Sequence, residues 1–549
     1  GILIALALVA AVGIALRPTN QPTNQLPNQL PQRTVLVSEA VFVVTFIGWC
    51  LVRAHMPRIQ TAGGEKWMEI AFLRAILRSD TFPPHDPWLS GFAISYYYFG
   101  YLIVAMLTRL AAVPPSIAFN LGIATLFALT CTGAFSLVYN LIAADKSQIS
   151  NLKSRVLAGL LGPLLVAVMG NLEGLLEVLH ARGIGPAAFW AWLDIRGIDG
   201  PPVPFSQGSW VPTRFFWWWQ ASRVLQDYTP WGAEQEVIDE FPAFSFILGD
   251  MHPHLLALPF VLLALALAFN LYWRIANGEW RIASRVSRFI QLPLTLWELL
   301  IYALCLGGLG FLNTWDFPIY LFVVVAAYAL AHSRNTQYAT RFTFHASRFV
   351  FLFIALLVTG LLLYLPFWVG FQSQAGGILP NLFNGTRLPQ FLVMFGPLVF
   401  IAAVFVADQA RESGVRAHSV VRWTLVMTLS TLGALVFVLG LIVFLVRLGV
   451  IPPQGPAAYL AAWLRGEPIP GLESMPNARA LISRSLMARL LDLRVPESAS
   501  PTLRIVIIVA NIIQSPLWTT LGLIALLTSI VLITNQPTNQ PTNQPANQP

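Results

Sequence analysis

The sequence predicts an all-α polytopic membrane protein of about 11–12 transmembrane helices, and three observations predict it. Of 549 residues, 56% are hydrophobic and 11% charged, where an average soluble protein carries roughly 25% charged residues. Apolar stretches long enough to span a bilayer recur along most of the chain. The polar segments between them are crowded with tryptophan and proline, as in PAAFWAWLDI and TRFFWWWQASRVL. Aromatic-basic segments of that kind suit amphipathic helices lying on the membrane surface. A chain so poor in charge cannot cover a water-facing surface. A soluble enzyme, a disordered protein and a nucleic-acid-binding module are excluded.

The spans are expected near 35–52, 93–111, 116–143, 154–179, 243–273, 291–312, 317–332, 346–369, 388–407, 421–447 and 503–533. Residues 1–17 form a partial hydrophobic segment, short for a full crossing. Residues 18–33 and 534–549 carry a repeated Thr-Asn-Gln-Pro unit. Proline at every fourth residue forbids helix and the remainder has no core to bury, so both are expected to be disordered. The chain starts at Gly1, and with the repeats this reads as a fragment or as a reading frame through repetitive DNA. The membrane domain is then 34–533, with polar loops at 53–92, 180–242 and 448–502.

The net charge of +8 places Lys and Arg at lipid headgroups and cytoplasmic loops rather than against nucleic acid. It gives no orientation. Arg53, Arg58, Lys66, Arg74 and Arg78 crowd one loop, while Lys146, Lys153 and Arg155 occupy another. Cys50, Cys131 and Cys305 are scattered in apolar runs, which argues against a disulfide framework or a thiolate metal site.

Acids in the loops are the candidates for chemistry. In EKWMEIAFLRAILRSDTFPPHDPWLSG, a helix over 66–79 puts Glu65 and Glu69 one turn apart on one face. Asp86, Asp250 and Asp316 are each followed within three residues by proline, the pattern of a helix start whose acid caps its own backbone amides. Helix N-termini gathered at one membrane face would also suit a phosphate. Asp250, His252 and His254 form D-x-H-x-H. On a helix Asp250 and His254 share a face, and in an extended chain all three can point one way. Imidazole and carboxylate suit several divalent metals, so these three are the candidate metal set, with phosphate contact by one His as the alternative. Glu39 and Glu173 are acids near membrane depth, and Arg223, Asn313 and Asp316 are polar groups at expected membrane edges. P-loop, dinucleotide-fold and zinc-cysteine patterns are absent.

The motifs EKWMEIAFLRAILRSDTFPPHDPWLSGFAISYYYFG, EFPAFSFILGDMHPHLLALPF and GFLNTWDFP resemble the YYY membrane protein family, hydrophobic prokaryotic proteins of archaea and Chloroflexi. The tyrosine run is matched by Tyr96, Tyr97, Tyr98 and Gly100, and the match extends with interruptions from about Glu39 to Thr386. That family is in turn similar to the C-type (GT-C) glycosyltransferases, which use polyprenyl-phosphate sugars. The resemblance implies a GT-C-like fold in a prokaryotic plasma membrane, with membrane lipids and a lipid-linked sugar donor as partners. It implies Glu65, Glu69, Asp86 and Asp250 as catalytic candidates. Tyr96, Tyr97, Tyr98, Arg223, His252, His254, Asn313 and Asp316 become candidates for substrate binding. The leading acid pair here reads Glu-Lys rather than Asp-Glu.

A glycosyltransferase is therefore the favoured function, with a transporter or lipid flippase as the alternative and a non-catalytic scaffold third. Hydrophobic segments show no internal repeat of the transporter kind. One objection stands against a shared site. Three crossings, 93–111, 116–143 and 154–179, separate Asp86 from Asp250 and put them on opposite faces, unless one segment is re-entrant or an aromatic stretch of 186–222 also enters the membrane.

Overall fold

Among the described residues four helices are long and apolar enough to cross a membrane: Arg33–His55, Pro115–Ala144, Pro253–Ala276 and Leu388–Phe405. A computed structural model describes residues 32–60, 64–144, 151–228, 234–277, 293–335, 342–372 and 386–412, with isolated positions between 433 and 445. The expected segments 1–17, 18–31, 448–502, 503–533 and 534–549, and most of 421–447, lie outside the described residues. The regular structure of the described residues is helical apart from a short antiparallel pair of strands, Gln226–Tyr228 with Glu234–Glu236. It is a polytopic membrane protein fold, as composition requires.

Helix α1 (Gln32–His55) turns Val35, Leu36, Val43, Val44, Ile47 and Leu51 outward, an apolar face that suits lipid. A short amphipathic helix α2 (Lys66–Arg78) follows, burying Glu69, Phe72, Leu73 and Ile76 along one stripe. Then come α3 (Phe99–Ala111) and the long α4 (Pro115–Ala144). Helices α1 and α4 are antiparallel: Thr34 meets Tyr139 at one end, and Arg53 meets Asn120 at the other. The chain returns along α4 through α5 (Leu152–Val168), whose Gly162 lies close against the Ala134 carbonyl. α5 ends in a π-helical turn, Leu164–Val168, and the chain bends by 70° into α6 (Glu173–Ala181). The expected span 154–179 is thus a broken one.

Beyond the polar loop, with its short helix α7 (Ala187–Leu193), lie α8 (Pro242–Leu248) and α9 (Pro253–Ala276). α9 runs parallel to α4, with Met251 against Gly122 and Leu262 against Gly133. α10 (Leu296–Leu312) opens on a capping box, Thr295 with Glu298, and runs back along α9. There Tyr302 donates to the Leu267 carbonyl at 3.0 Å and Glu298 pairs with Arg274 at 2.7 Å. α11 (Asp316–Asn335) and α12 (Phe342–Leu363) complete the group. Small residues let α10 and α12 touch: a Cβ on Gly307 would fall 2.6 Å from the Gly360 carbonyl oxygen.

These directions place the C-terminus of α1 and the N-termini of α4 and α9 at one end of the bundle. They also correct the crossing count. The expected span 93–111 is α3, 13 residues or about 20 Å long, and it does not cross. Its start lies at this end, with Tyr98 on Phe311 and Gly100 on Leu256. Three residues after its end α4 begins at the same end, where Asn120 holds Arg53 and donates to the Pro57 carbonyl. Only α4 and α5 carry the chain away and back between the first acidic loop and Asp250. The number of passes is even, and the objection to a shared face falls.

Candidate functional site

The turn between α8 and α9 dictates one half of the site. Gly249, at φ +75°, ends α8 in the left-handed conformation that glycine adopts freely. Pro253 at the first turn of α9 can start that helix but cannot extend it backward. Asp250, Met251 and His252 are left as an extended link, with Asp250 and Met251 fully buried. The other half is the N-terminus of α2. Glu65 sits at its cap position and Glu69 in its first turn.

The two halves interlock through backbone amides. Glu65 N–H donates to Asp250 Oδ2 at 2.9 Å, and Met251 N–H donates to Glu69 Oε2 at 2.7 Å. Gly64, at φ +97°, makes the approach possible: a Cβ there would overlap the Asp250 carboxylate. His252 closes the group. Its Nδ1 lies 3.3 Å from Glu69 Oε1 and 3.5 Å from Asp250 Oδ2, and its Nε2 lies 3.4 Å from Glu65 Oε2. Glu69 and Asp250 are fully buried, His252 is 20% exposed and Glu65 52% exposed. The cluster therefore has a closed floor and one open edge, at Glu65.

Two buried cations flank it. Arg53 donates Nε and Nη2 to Asn120 Oδ1, and Nη2 also to the Met56 carbonyl, while its guanidinium packs against Gly249. Lys66 is buried with its charge near Asp250 and Glu69. Burial pulls its ammonium below the ordinary lysine value, partly offset by Asp250 and Glu69. Burial pushes the Glu69 carboxyl up, and Asp250 adds to that, while His252 and the Met251 amide pull it back. Burial also works to lower His252, but contacts with Asp250 and Glu69 outweigh it and raise the imidazole to about 10. The group is a set of acids closed around one imidazole.

Of the acids expected to cap their own helices, Asp250 does not: it accepts from Glu65 across the fold, and His252 occupies the cap position of α9. Asp86 accepts from the Trp88 and Leu89 amides in an exposed turn, with no helix start following. Asp316 begins α11 and accepts from Asn313 Nδ2 at 3.1 Å. In D-x-H-x-H, the helix starts between the two histidines. His254 turns to Ser245 Oγ, 3.0 Å away, which donates to Glu240 at 2.9 Å, so Glu69 stands with Asp250 and His252 where His254 was expected.

Tyr96 packs on Phe72 of α2 and on Tyr97. Burial, then the nearby Glu65 charge, raises its phenol to about 12. Tyr97 rests on Phe371 and Tyr98 on Phe311, so the tyrosine run clamps the 79–98 segment to the bundle beside the acids. Arg223 lies in a separate group, with its guanidinium 4.9 Å over the Trp219 ring and 3.2 Å from Glu236. Sequence reasoning missed Arg53, Lys66 and Asn120 as members. The available signal was an Arg in the last turn of a span and a Lys between two acids of an apolar helix.

Against known proteins, no curated protein and no solved structure matches the chain. One family model matches residues 1–491, which is most of the chain, and by that match the protein belongs to the family described as uncharacterized membrane protein (DUF2298).

Proposed function

We propose that the protein is a membrane glycosyltransferase of the C type, moving a sugar from a polyprenyl-phosphate donor to an acceptor at the extracytoplasmic face of a prokaryotic plasma membrane. The observation that carries this reading is the meeting of Glu65 and Glu69 with Asp250 and His252 at one end of the bundle, with Glu65 alone reaching its open edge. The donor chemistry comes from the sequence resemblance to the YYY family and through it to C-type glycosyltransferases. A lipid-tailed donor also accounts for a catalyst built mostly of spans.

The roles follow from exposure and charge. Glu65 is the base: its carboxylate takes the proton of the acceptor hydroxyl as that oxygen bonds to the anomeric carbon of the sugar. The bond from that carbon to the phosphate oxygen breaks, and the electron pair leaves with the polyprenyl phosphate. Positive charge from Lys66 and Arg53, with a hydrogen bond from the His252 edge, meets the charge growing on the departing phosphate. Glu69 and Asp250 are too deeply buried to reach an acceptor and hold this edge in place.

The test is consumption of a labelled polyprenyl-phosphate sugar by the purified chain supplied with membrane extract as acceptor source. Wild type should release polyprenyl phosphate, and Glu65→Gln should slow release by about 10²–10⁴-fold with its melting temperature unchanged. Equal release by Glu65→Gln, or no donor consumption by folded wild type, rejects the reading.

A further inference from the structure

We propose that Glu69, Asp250 and His252 form the binding site of one divalent metal ion. The inference deepens the transferase reading by giving the same cluster a cofactor, but its structural grounds are independent of any donor.

The first ground is dimension. The three residues each offer one ligand atom, and these atoms lie within 4.8 Å of one another. His252 Nδ1 is 3.3 Å from Glu69 Oε1 and 3.5 Å from Asp250 Oδ2. A tetrahedron with metal bonds of ~2.0–2.2 Å has edges of about 3.3–3.6 Å. Those separations are long for aligned hydrogen bonds and right for neighbours in a coordination sphere.

The second ground is unmet demand. Glu69 Oε1, Asp250 Oδ1 and His252 Nδ1 are all buried and none makes a hydrogen bond. Glu69 and Asp250 are each 0% exposed, so water cannot serve these atoms from bulk. Burying carboxylate oxygens unpaired is costly unless a cation or donor answers them. One cation beside Glu69 Oε1 and His252 Nδ1, within reach of the Asp250 carboxylate, would answer this demand.

The third ground is the support around the ligands. Each carboxylate is fixed by a backbone amide, Met251 N–H on Glu69 Oε2 and Glu65 N–H on Asp250 Oδ2, the oxygen that lies 3.5 Å from His252 Nδ1. The imidazole presents Nδ1 inward while Nε2 faces the Glu65 carboxylate at 3.4 Å. A ring whose second nitrogen faces a carboxylate is the usual outer arrangement of a metal-bound histidine. His254 takes no part, because its Nε2 is engaged by Ser245.

Two carboxylate oxygens and one imidazole nitrogen suit Zn²⁺ or Mn²⁺. Three protein ligands leave a position open toward the Glu65 edge, where an oxygen of a donor phosphate can bind. The ion would supply Lewis-acid charge to that phosphate.

The test uses the full chain purified in detergent, stripped with a chelator and titrated with Mn²⁺ by electron paramagnetic resonance and with Zn²⁺ by calorimetry. We expect one equivalent per chain. Glu69→Gln, Asp250→Asn and His252→Ala should each weaken binding by about tenfold or more, while Glu173→Gln, at a buried acid elsewhere, leaves it unchanged. If the carboxylate variants fail to fold, wild type still decides, because bound Mn²⁺ must show coupling to an imidazole nitrogen that His252→Ala removes. Absence of stoichiometric binding, or of that coupling, overturns the proposal. Ion binding without donor consumption rejects the transferase and keeps the ion. Donor consumption that survives chelation rejects the ion and keeps the transferase.

Discussion

Among the described residues two groups of buried charge stand out, and they are built to different ends. Around α6 and the aromatic loop, acids are set against an arginine, backbone amides or one another. Glu177, 3% exposed, pairs with Arg214 at 2.8 Å, and Glu173 faces it one helical turn away. Asp239 accepts from the Val224 and Leu225 amides, and burial still raises it to about 6. Arg223 lies on Trp219 and against Glu236. Around α2 and the α8–α9 turn, by contrast, acids distant in sequence converge on one imidazole and keep one edge open. A group of acids set against an arginine and loop amides holds a loop in place. A group whose carboxylates converge with an imidazole within 4.8 Å, beside one open edge, is prepared for something that is not protein.

The sharpest way to break that distinction is a crossed pair of variants. Glu65→Gln should remove about two to four orders of magnitude of donor turnover with no change in melting. Arg214→Ala should do the reverse. It strands Glu177 beside Glu173, and breaking a buried pair costs about 3 kcal/mol, the low end of the usual range because Arg214 is 27% exposed. Turnover per folded molecule should be that of wild type. Thermal melting and donor release, measured on both variants, check the pair. Loss of turnover in folded Arg214→Ala would merge the two groups into one site.

A milder probe is Gly64→Ala. The residue has φ +97°, and its new Cβ would meet the Asp250 carboxylate. An L-residue in left-handed backbone costs about 1–2 kcal/mol. The larger consequence is local: Asp250 must move off the Glu65 amide, so metal affinity and turnover should fall together while the bundle keeps its helicity. Calorimetry and circular dichroism on one preparation separate the two effects. Retained affinity would show that the Asp250 position is not needed.

Part of this arrangement is legible in the sequence and part is not, for identifiable reasons. Scarcity of charge together with continuous apolar stretches of helical spanning length fixes a helical membrane protein, because lipid admits only helices or closed barrels and barrel strands alternate. The i, i+4 spacing of Glu65 and Glu69 aims both toward one imidazole. D-x-H-x-H is ambiguous until Pro253 is read as a helix start, which separates His252 from His254. The stretch 93–111 has the composition of a span, and hydropathy does not distinguish a 13-residue helix at the membrane face from a crossing. The usable clues were Pro114-Pro115 just beyond it and Arg109 in its last turn, which donates to the Leu77 carbonyl of α2. Which amides receive Glu69 and Asp250 depends on contacts more than 180 residues apart in sequence, and no local pattern carries that.

The smallest expected effect concerns Asp86, which shares the acidic loop with Glu65 and Glu69 but not their surroundings. Its Oδ1 accepts from both the Trp88 and Leu89 amides at 2.8 Å, and its own amide donates to the Phe92 carbonyl, closing an exposed turn. Asp86→Ala removes the side-chain acceptor from two amides that water can reach. The cost should be about 0.5–1 kcal/mol, with metal affinity and donor turnover unchanged. If turnover instead falls as far as in Glu65→Gln, then Asp86 is the base and the open edge of the cluster must extend along the 79–98 segment to reach it. That outcome would relocate the acceptor without moving the metal, since the oxygens on which the ion depends belong to Glu69 and Asp250.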